Sequence, residues 1–198
     1  MDLQTGQLPE AAGVVARAFA DNPGVRAVLD RHQPDERRMA FERISRGFLK
    51  AALRYGSVTA AVDQDRMAGV MLVYPPAAYP LPMIGQVLMA KPVVLTGPRT
   101  AWKFSRMASY MQRVHPRTRH YFLFMIGIDP QDQGKGYGGI LLRRLNDLAD
   151  SAGAACYLET DKRESVLLYE HFGYQITRDD TLGSLGNLRM WTMTRPPR

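Results

Sequence analysis

The stretch IGIDPQDQGKGYGGILL, residues 126–142, has the make-up of a phosphate-binding turn. An apolar β-type run, Tyr121 to Ile128, leads into it, and a helix with the face Ile140, Leu141, Leu145 and Leu148 leads out. Between them lies the glycine-dense segment Gln133, Gly134, Lys135, Gly136, Tyr137, Gly138, Gly139. The first amides of a helix have no internal partner, and that end carries partial positive charge, so a phosphate-bearing ligand suits it. Glycine lets the backbone approach the ligand closely and take positive φ where the turn needs it.

Two familiar phosphate motifs fit poorly. A Walker A loop needs Gly-x4-Gly-Lys-Ser/Thr, but Gly136 follows Lys135 and Asp129 stands where the first glycine belongs. A dinucleotide fingerprint is formally present as Gly134-x-Gly136-x-x-Gly139, with Glu159 at the spacing of a ribose-binding acid. There, however, the strand should run almost directly into the first glycine, whereas Asp129 to Gln133 intervene. A dinucleotide-binding oxidoreductase is therefore the weaker reading.

The third reading takes Gln133-x-x-Gly136-x-Gly138, after Ile128-Asp129-Pro130, as one element. It resembles the pyrophosphate motif of the GCN5-related N-acetyltransferase (GNAT) superfamily. A second block agrees: Leu168-Tyr169-Glu170-His171-Phe172-Gly173-Tyr174 resembles that family's later Leu-Tyr-x-x-x-Gly-Phe/Tyr segment, with the strand Ala155 to Thr160 in between. The arrangement looks most like the puromycin-acetyltransferase-like branch. The motif resemblance covers about residues 120 to 178; upstream it rests on element order.

The resemblance implies an α/β (α+β) GNAT fold: a mixed, mostly antiparallel central sheet splayed between two parallel strands, with helices on both faces. It implies acetyl-CoA as co-substrate. Residues Gln133 to Gly139 would hold its pyrophosphate, and backbone groups of Ile126 and Ile128 would pair with its pantetheine arm, an edge contact that needs no particular side chain. Tyr169 maps to the tyrosine that protonates the departing thiolate. Ser165 stands where relatives often place a cofactor-bonding asparagine. Many relatives carry a glutamate on the strand before the glycine turn, and this chain has none between His120 and Ile128.

A base must therefore come from elsewhere. Glu159, in an otherwise apolar strand, is the first candidate, because a buried carboxylate has a raised pKa suited to taking a proton. Its bland alternative is a satisfied structural carboxylate. His120 is a second candidate, expected as a strand-end surface residue. Cys156 is expected as a small buried side chain rather than a nucleophile. No cluster with metal-ligand spacing appears, so no metal is expected.

The elements that must position these residues follow from periodicity. Pro9 to Ala20 reads as an amphipathic helix ended by Asn22-Pro23-Gly24, and Pro34 to Tyr55 as a longer one with Phe41, Ile44, Phe48, Ala52 and Tyr55 on its buried face and Gly56 as its stop. Ser57 to Val62 and Met67 to Tyr74 read as antiparallel strands, with a bulge expected near Gly69. Met83 to Met89 and Pro98 to Val114 read as helices broken around Pro92, the second with Phe104, Met107, Met111 and Val114 as a buried stripe. A bulge is expected at Gly127. Gly136 to Ala152 and Glu164 to Phe172 are the late helices, Asp179 to Gly186 a loop, Leu188 to Thr194 the last strand, and the Arg-Pro-Pro-Arg end a frayed tail.

At 198 residues and 45% hydrophobic the chain suits one domain: acceptor-side helices and first strands to about residue 119, a cofactor-binding core to about 178, and a closing strand. One cysteine excludes an internal disulfide framework and suits a reducing cytoplasm. Met67 to Ala90 is uncharged, but four prolines break it as a span, so no membrane partner is expected. The net charge of +7 suits an anionic ligand, and no nucleic-acid reader motif appears. The expected acceptor is a small-molecule amine or a protein amine. A homodimer and a non-catalytic acyl-CoA-binding module stay open.

Overall fold

The computed structural model describes all 198 residues. Its centre is a six-stranded sheet in the order β1-β2-β3-β4-β6-β5, where β1 is Ser57–Asp63, β2 Arg66–Tyr74, β3 His120–Ile128, β4 Ala155–Thr160, β5 Gln175–Leu182 and β6 Leu188–Arg195. Only β3 and β4 run parallel; every other pair is antiparallel. This is the mixed, mostly antiparallel sheet that the resemblance implied, and a parallel dinucleotide-binding sheet is absent. The short first strand that such a fold would have is reduced to a bridge from Asp2 to Thr59.

The strands inside the sheet bury both faces, and their side chains alternate between two cores. Val70, Leu72 and Tyr74 of β2 face one core with α1 (Leu8–Ala18) and α3 (Pro34–Tyr55). Met71 and Val73 face the other, with α6 (Tyr137–Ser151) and α7 (Arg163–His171). Leu142 and Leu145 of α6 are 0% and 1% exposed there, so truncating either to Ala should cost about 2–5 kcal/mol.

Several expectations are corrected by packing. Asn22-Pro23-Gly24 does not merely end α1: the Asn22 side chain caps a short helix, α2 (Pro23–Val28), by accepting from the Val25 amide. Gly56 does end α3, for a tertiary reason: a Cβ there would collide with the Val73 carbonyl, so closeness to β2 demands the glycine. α4 (Met83–Thr96) runs through Pro92 rather than breaking. The interior proline costs about 3 kcal/mol by itself. Here Leu88 and Pro92 lie against side-chain-free Gly47 of α3, so the two helices approach closely at the proline.

The bulge on β3 falls at Phe124, not Gly127, because Leu72 pairs with Met125 and Val73 with Leu123. The bulge on β2 leaves out Ala68, one residue from Gly69. Residues 179–182 are strand, not loop, because β5 pairs along β6 as an exposed edge. The tail is tied down rather than frayed: Arg195 is 3% exposed and binds Asp150 at 2.7 Å, and the Arg198 amide donates to the same carboxylate.

Candidate active site

The glycine turn follows β3 after one short 3-10 turn, Pro130–Asp132. Gly134 and Gly136 have φ of +79° and +89°, and a Cβ at either would meet nothing within 4 Å. Their need for glycine is conformational, and the space above them is open. The amides of Gly134, Gly136, Tyr137, Gly138 and Gly139 donate to no protein acceptor; the first helical bond of α6 runs from Ile140 to Gly136. A run of free amides at the positive end of a four-turn helix fits a diphosphate.

The turn is held from below. Asp132 is fully buried, bound by Arg66 at 2.6 Å and by Lys135 at 2.8 Å. The Arg66 guanidinium first, then Lys135, holds its carboxyl down at about 2. Asp129, 2% exposed, is gripped by Arg17 of α1 at 2.6 Å. Two side chains of the turn brace it while staying exposed. The Lys135 ammonium sits on Asp132, and the Gln133 side chain donates to the Ile128 carbonyl at 3.2 Å.

β3 and β4 pair only from His120–Ala155 to Leu123–Leu158. The bulge at Phe124 follows at once, so β3 bends away while β4 continues along β6 to Thr160. From Phe124 to Ile128 one edge of β3 therefore has no strand partner. That edge includes Ile126 and Ile128, and it fits an extended amide-bearing arm.

The splay also borders a cavity of about 440 Å³, within the range of small-molecule sites. Twenty of its twenty-eight lining residues are hydrophobic. Phe41, Ile44 and Phe48 come from α3, and Phe104, Met107 and Met111 from α5 (Pro98–Val114). The expected buried stripe of α5 is thus mostly cavity wall: the fully buried positions of that helix are Thr100, Lys103 and Tyr110. Periodicity marks an apolar face but not whether a neighbour fills the space opposite.

Glu159 lies in that wall. The Tyr157 hydroxyl donates to its Oε1 at 2.8 Å, while Oε2 is buried with no partner. Burial lifts the carboxyl to about 7, only partly opposed by the Tyr157 hydrogen bond. Asp161, two residues on, also borders the cavity, and burial raises it too. It accepts from the Gly24 amide and the Asn22 side chain, anchoring α2 to the end of β4. The Asn-Pro helix start was the signal for that anchor.

Tyr169 is 7% exposed, its ring 5.8 Å from that of Tyr174, and its hydroxyl makes no hydrogen bond within the protein. Burial, then the Asp161 charge, pushes its pKa above the ordinary value, so it stays protonated. Ser165 is half-buried in the first turn of α7. His120 is not a surface residue. It is 8% exposed, donates from Nδ1 to Thr118 O at 2.7 Å and meets His115 Nε2 at 3.1 Å, outside the cavity that holds Glu159. Burial pushes both histidines down. Cys156 is fully buried with a raised pKa, which suits packing rather than attack.

A splayed parallel pair, an amide-lined turn at its open end and a flanking helix with a protonated tyrosine define an acetyltransferase-type fold. The sequence model of the acetyltransferase (GNAT) family matches residues 27–174, and the chain belongs to that family. Two uncharacterized N-acetyltransferases of Schizosaccharomyces pombe match shorter stretches. One is 32% identical over 66 residues, 30% of this chain and 27% of that protein; the other is 40% identical over 53 residues, 27% and 22%. The matched part thus spans about a quarter of each curated relative. Among solved structures, arylalkylamine N-acetyltransferase 2 of Aedes aegypti superposes with TM-score 0.72 at 13% identity, covering 100% of this chain and 98% of that one. A Corynebacterium glutamicum protein described as histone acetyltransferase HPA2 and related acetyltransferase gives 0.69 at 20%, covering 100% and 95%. At these identities the likeness establishes the fold.

Proposed function

We propose that the chain is a single-domain, acetyl-CoA-dependent N-acetyltransferase that acetylates, by direct transfer, a primary amine on a small apolar molecule. The observation that carries this reading is the end of β3–β4 pairing at Leu123–Leu158, which leaves one gap bordered by the apolar cavity and, past Ile128, by the open glycine turn. The co-substrate supplies the activated acyl group. The free amides of Gly134 and of residues 136–139 would hold its diphosphate, and the free edge of β3 around Ile126 and Ile128 its amide arm.

The chain's own groups then divide the proton work. Oε2 of Glu159 takes a proton from the acceptor's ammonium, directly or through one water, and its pKa near 7 leaves much of it ionised at neutral pH. A backbone N–H on the bent part of β3 stabilises the oxyanion of the tetrahedral intermediate. The Tyr169 hydroxyl, protonated and without a protein partner, gives its proton to the thiolate as the C–S bond breaks, and the proton that the attacking nitrogen sheds on becoming an amide restores the hydroxyl. Alignment of amine and thioester in one walled site supplies much of the rate.

The apolar wall and the nearby pair Glu159 and Asp161 favour an acceptor with a cationic end and an aliphatic or aromatic body. An arylalkylamine, the class in the Aedes aegypti protein's description, is of that kind. An amine panel with acetyl-CoA, read by thiol release, tests the proposal. Arylalkyl and alkyl amines should be acetylated with kcat/KM well above that of lysine peptides. Slow thioester cleavage, unchanged by every amine, would favour the non-catalytic acyl-CoA module instead.

A further inference from the structure

We propose that the α4–α5 hairpin docks this protein onto the surface of an anionic lipid bilayer. Between Asp65 and Asp129 the chain has no acidic residue, and seven Lys and Arg fall between them and after Arg66, as many as the whole net charge of +7. Arg99 and Lys103 are bound to Asp30 at 2.8 and 2.9 Å. The other five, Lys91, Arg106, Arg113, Arg117 and Arg119, are exposed and in no ion pair. Asp180, which accepts from Tyr110 of α5, is already paired with Arg178.

The same hairpin turns large apolar side chains outward. Met83 is 78% exposed and Leu95 77%, with Val94, Val87, Trp102 and Ile84 each more than half exposed. Along α4 these positions recur at 83/84, 87 and 94/95, with Lys91 among them, so they form one face of the helix. Exposed apolar surface on this scale marks a contact surface.

Charge decides among partners. A symmetric contact with a second copy would bring this net-cationic face, its neighbouring acids Asp30 and Asp180 already paired, against itself. A nucleic acid would satisfy the cations but offer nothing to the aliphatic side chains. A bilayer with anionic headgroups satisfies both, since basic residues meet the headgroups while apolar ones and an interfacial Trp enter the acyl boundary. No helix is long and apolar enough to cross a membrane, which fits a hairpin lying in the surface plane. α4 and α5 also wall the cavity through Val93, Phe104 and Met107, so docking would hold the site beside a reservoir of apolar molecules. The inference stands apart from the proposed activity, because lipid binding is read without turnover.

Co-sedimentation of the full chain with phosphatidylcholine vesicles, with and without phosphatidylglycerol, tests it. Binding should be at least about tenfold stronger with the anionic lipid and should weaken in high salt. Leu95→Glu with Trp102→Glu, and separately Lys91→Glu with Arg106→Glu, should each reduce it about tenfold while melting temperature and CoA binding stay unchanged. Absent binding, equal binding to neutral vesicles, a lipid-free dimer abolished by the same substitutions, or duplex DNA that displaces the vesicles would each overturn the proposal.

Discussion

The Tyr157 hydroxyl donates to Oε1 of Glu159 at 2.8 Å, and the other carboxylate oxygen is buried with no partner. A residue fixed on one side and open on the other is oriented without being neutralised, which is the arrangement a general base requires. Glu159→Gln keeps the shape and removes the proton acceptor. We expect kcat/KM for a good amine to fall about 10²-fold at pH 8, and the acidic limb near pH 7 to vanish from the profile. An unchanged profile would exclude Glu159 as the base.

The same carboxyl makes a stability prediction with a definite sign. Its folded pKa of about 7 exceeds the ordinary 4.5, so the folded state holds the proton more tightly. The stability this contributes is complete below about 4.5 and is lost as pH rises through 7. Glu159→Gln should therefore raise stability at pH 8 by on the order of 1–3 kcal/mol and by almost nothing near pH 4. Denaturant unfolding at the two pH values measures the difference.

Gly136 has φ of +89° with open space above it. Gly136→Ala should cost about 1–2 kcal/mol of stability through backbone strain alone. Gly136→Glu carries the same strain but sets charge and bulk where a diphosphate would lie. Calorimetric titration should show CoA binding weakened more than about 100-fold in the Glu variant and far less in the Ala variant, both remaining folded by circular dichroism.

Tyr169→Phe removes a hydroxyl that no protein group uses while keeping the ring that packs on Tyr174. Stability should change by less than about 1 kcal/mol. Turnover should fall about 10²-fold, with little change in acetyl-CoA affinity. Full kcat in this variant would remove Tyr169 from the mechanism.

Ala108 of α5 is half-buried and faces the cavity. Ala108→Phe should occupy part of its volume, raise KM for bulky arylalkyl amines about tenfold and leave acetyl-CoA binding unchanged. Steady-state kinetics with short and long amines distinguishes this from general damage, which would affect all acceptors alike.

The glycine turn was legible in the sequence because its behaviour is local. The spacing of Gln133, Gly136 and Gly138 fixes where the chain can take positive φ and which amides a new helix leaves free, and neighbouring residues suffice for that. The strands other than the second half of β5, the long helix Pro34–Tyr55 and the buried Cys156 were legible for the same reason: hydrophobic period and composition are properties of a segment. Tertiary structure alone decided the rest. The splay depends on a bulge at Phe124, set by how β2 pairs with β3, and no residue type at that position announces it. The stripe Phe104, Met107, Met111 packs on the core and also walls a cavity, because part of the face opposite is left unfilled. Glu159 has a pKa near 7 because distant elements exclude water from it, and His120 is buried because His115 folds back onto it. Backbone conformation answers to neighbours in the chain, whereas burial, empty space and the dielectric around a charge answer to residues far away in sequence.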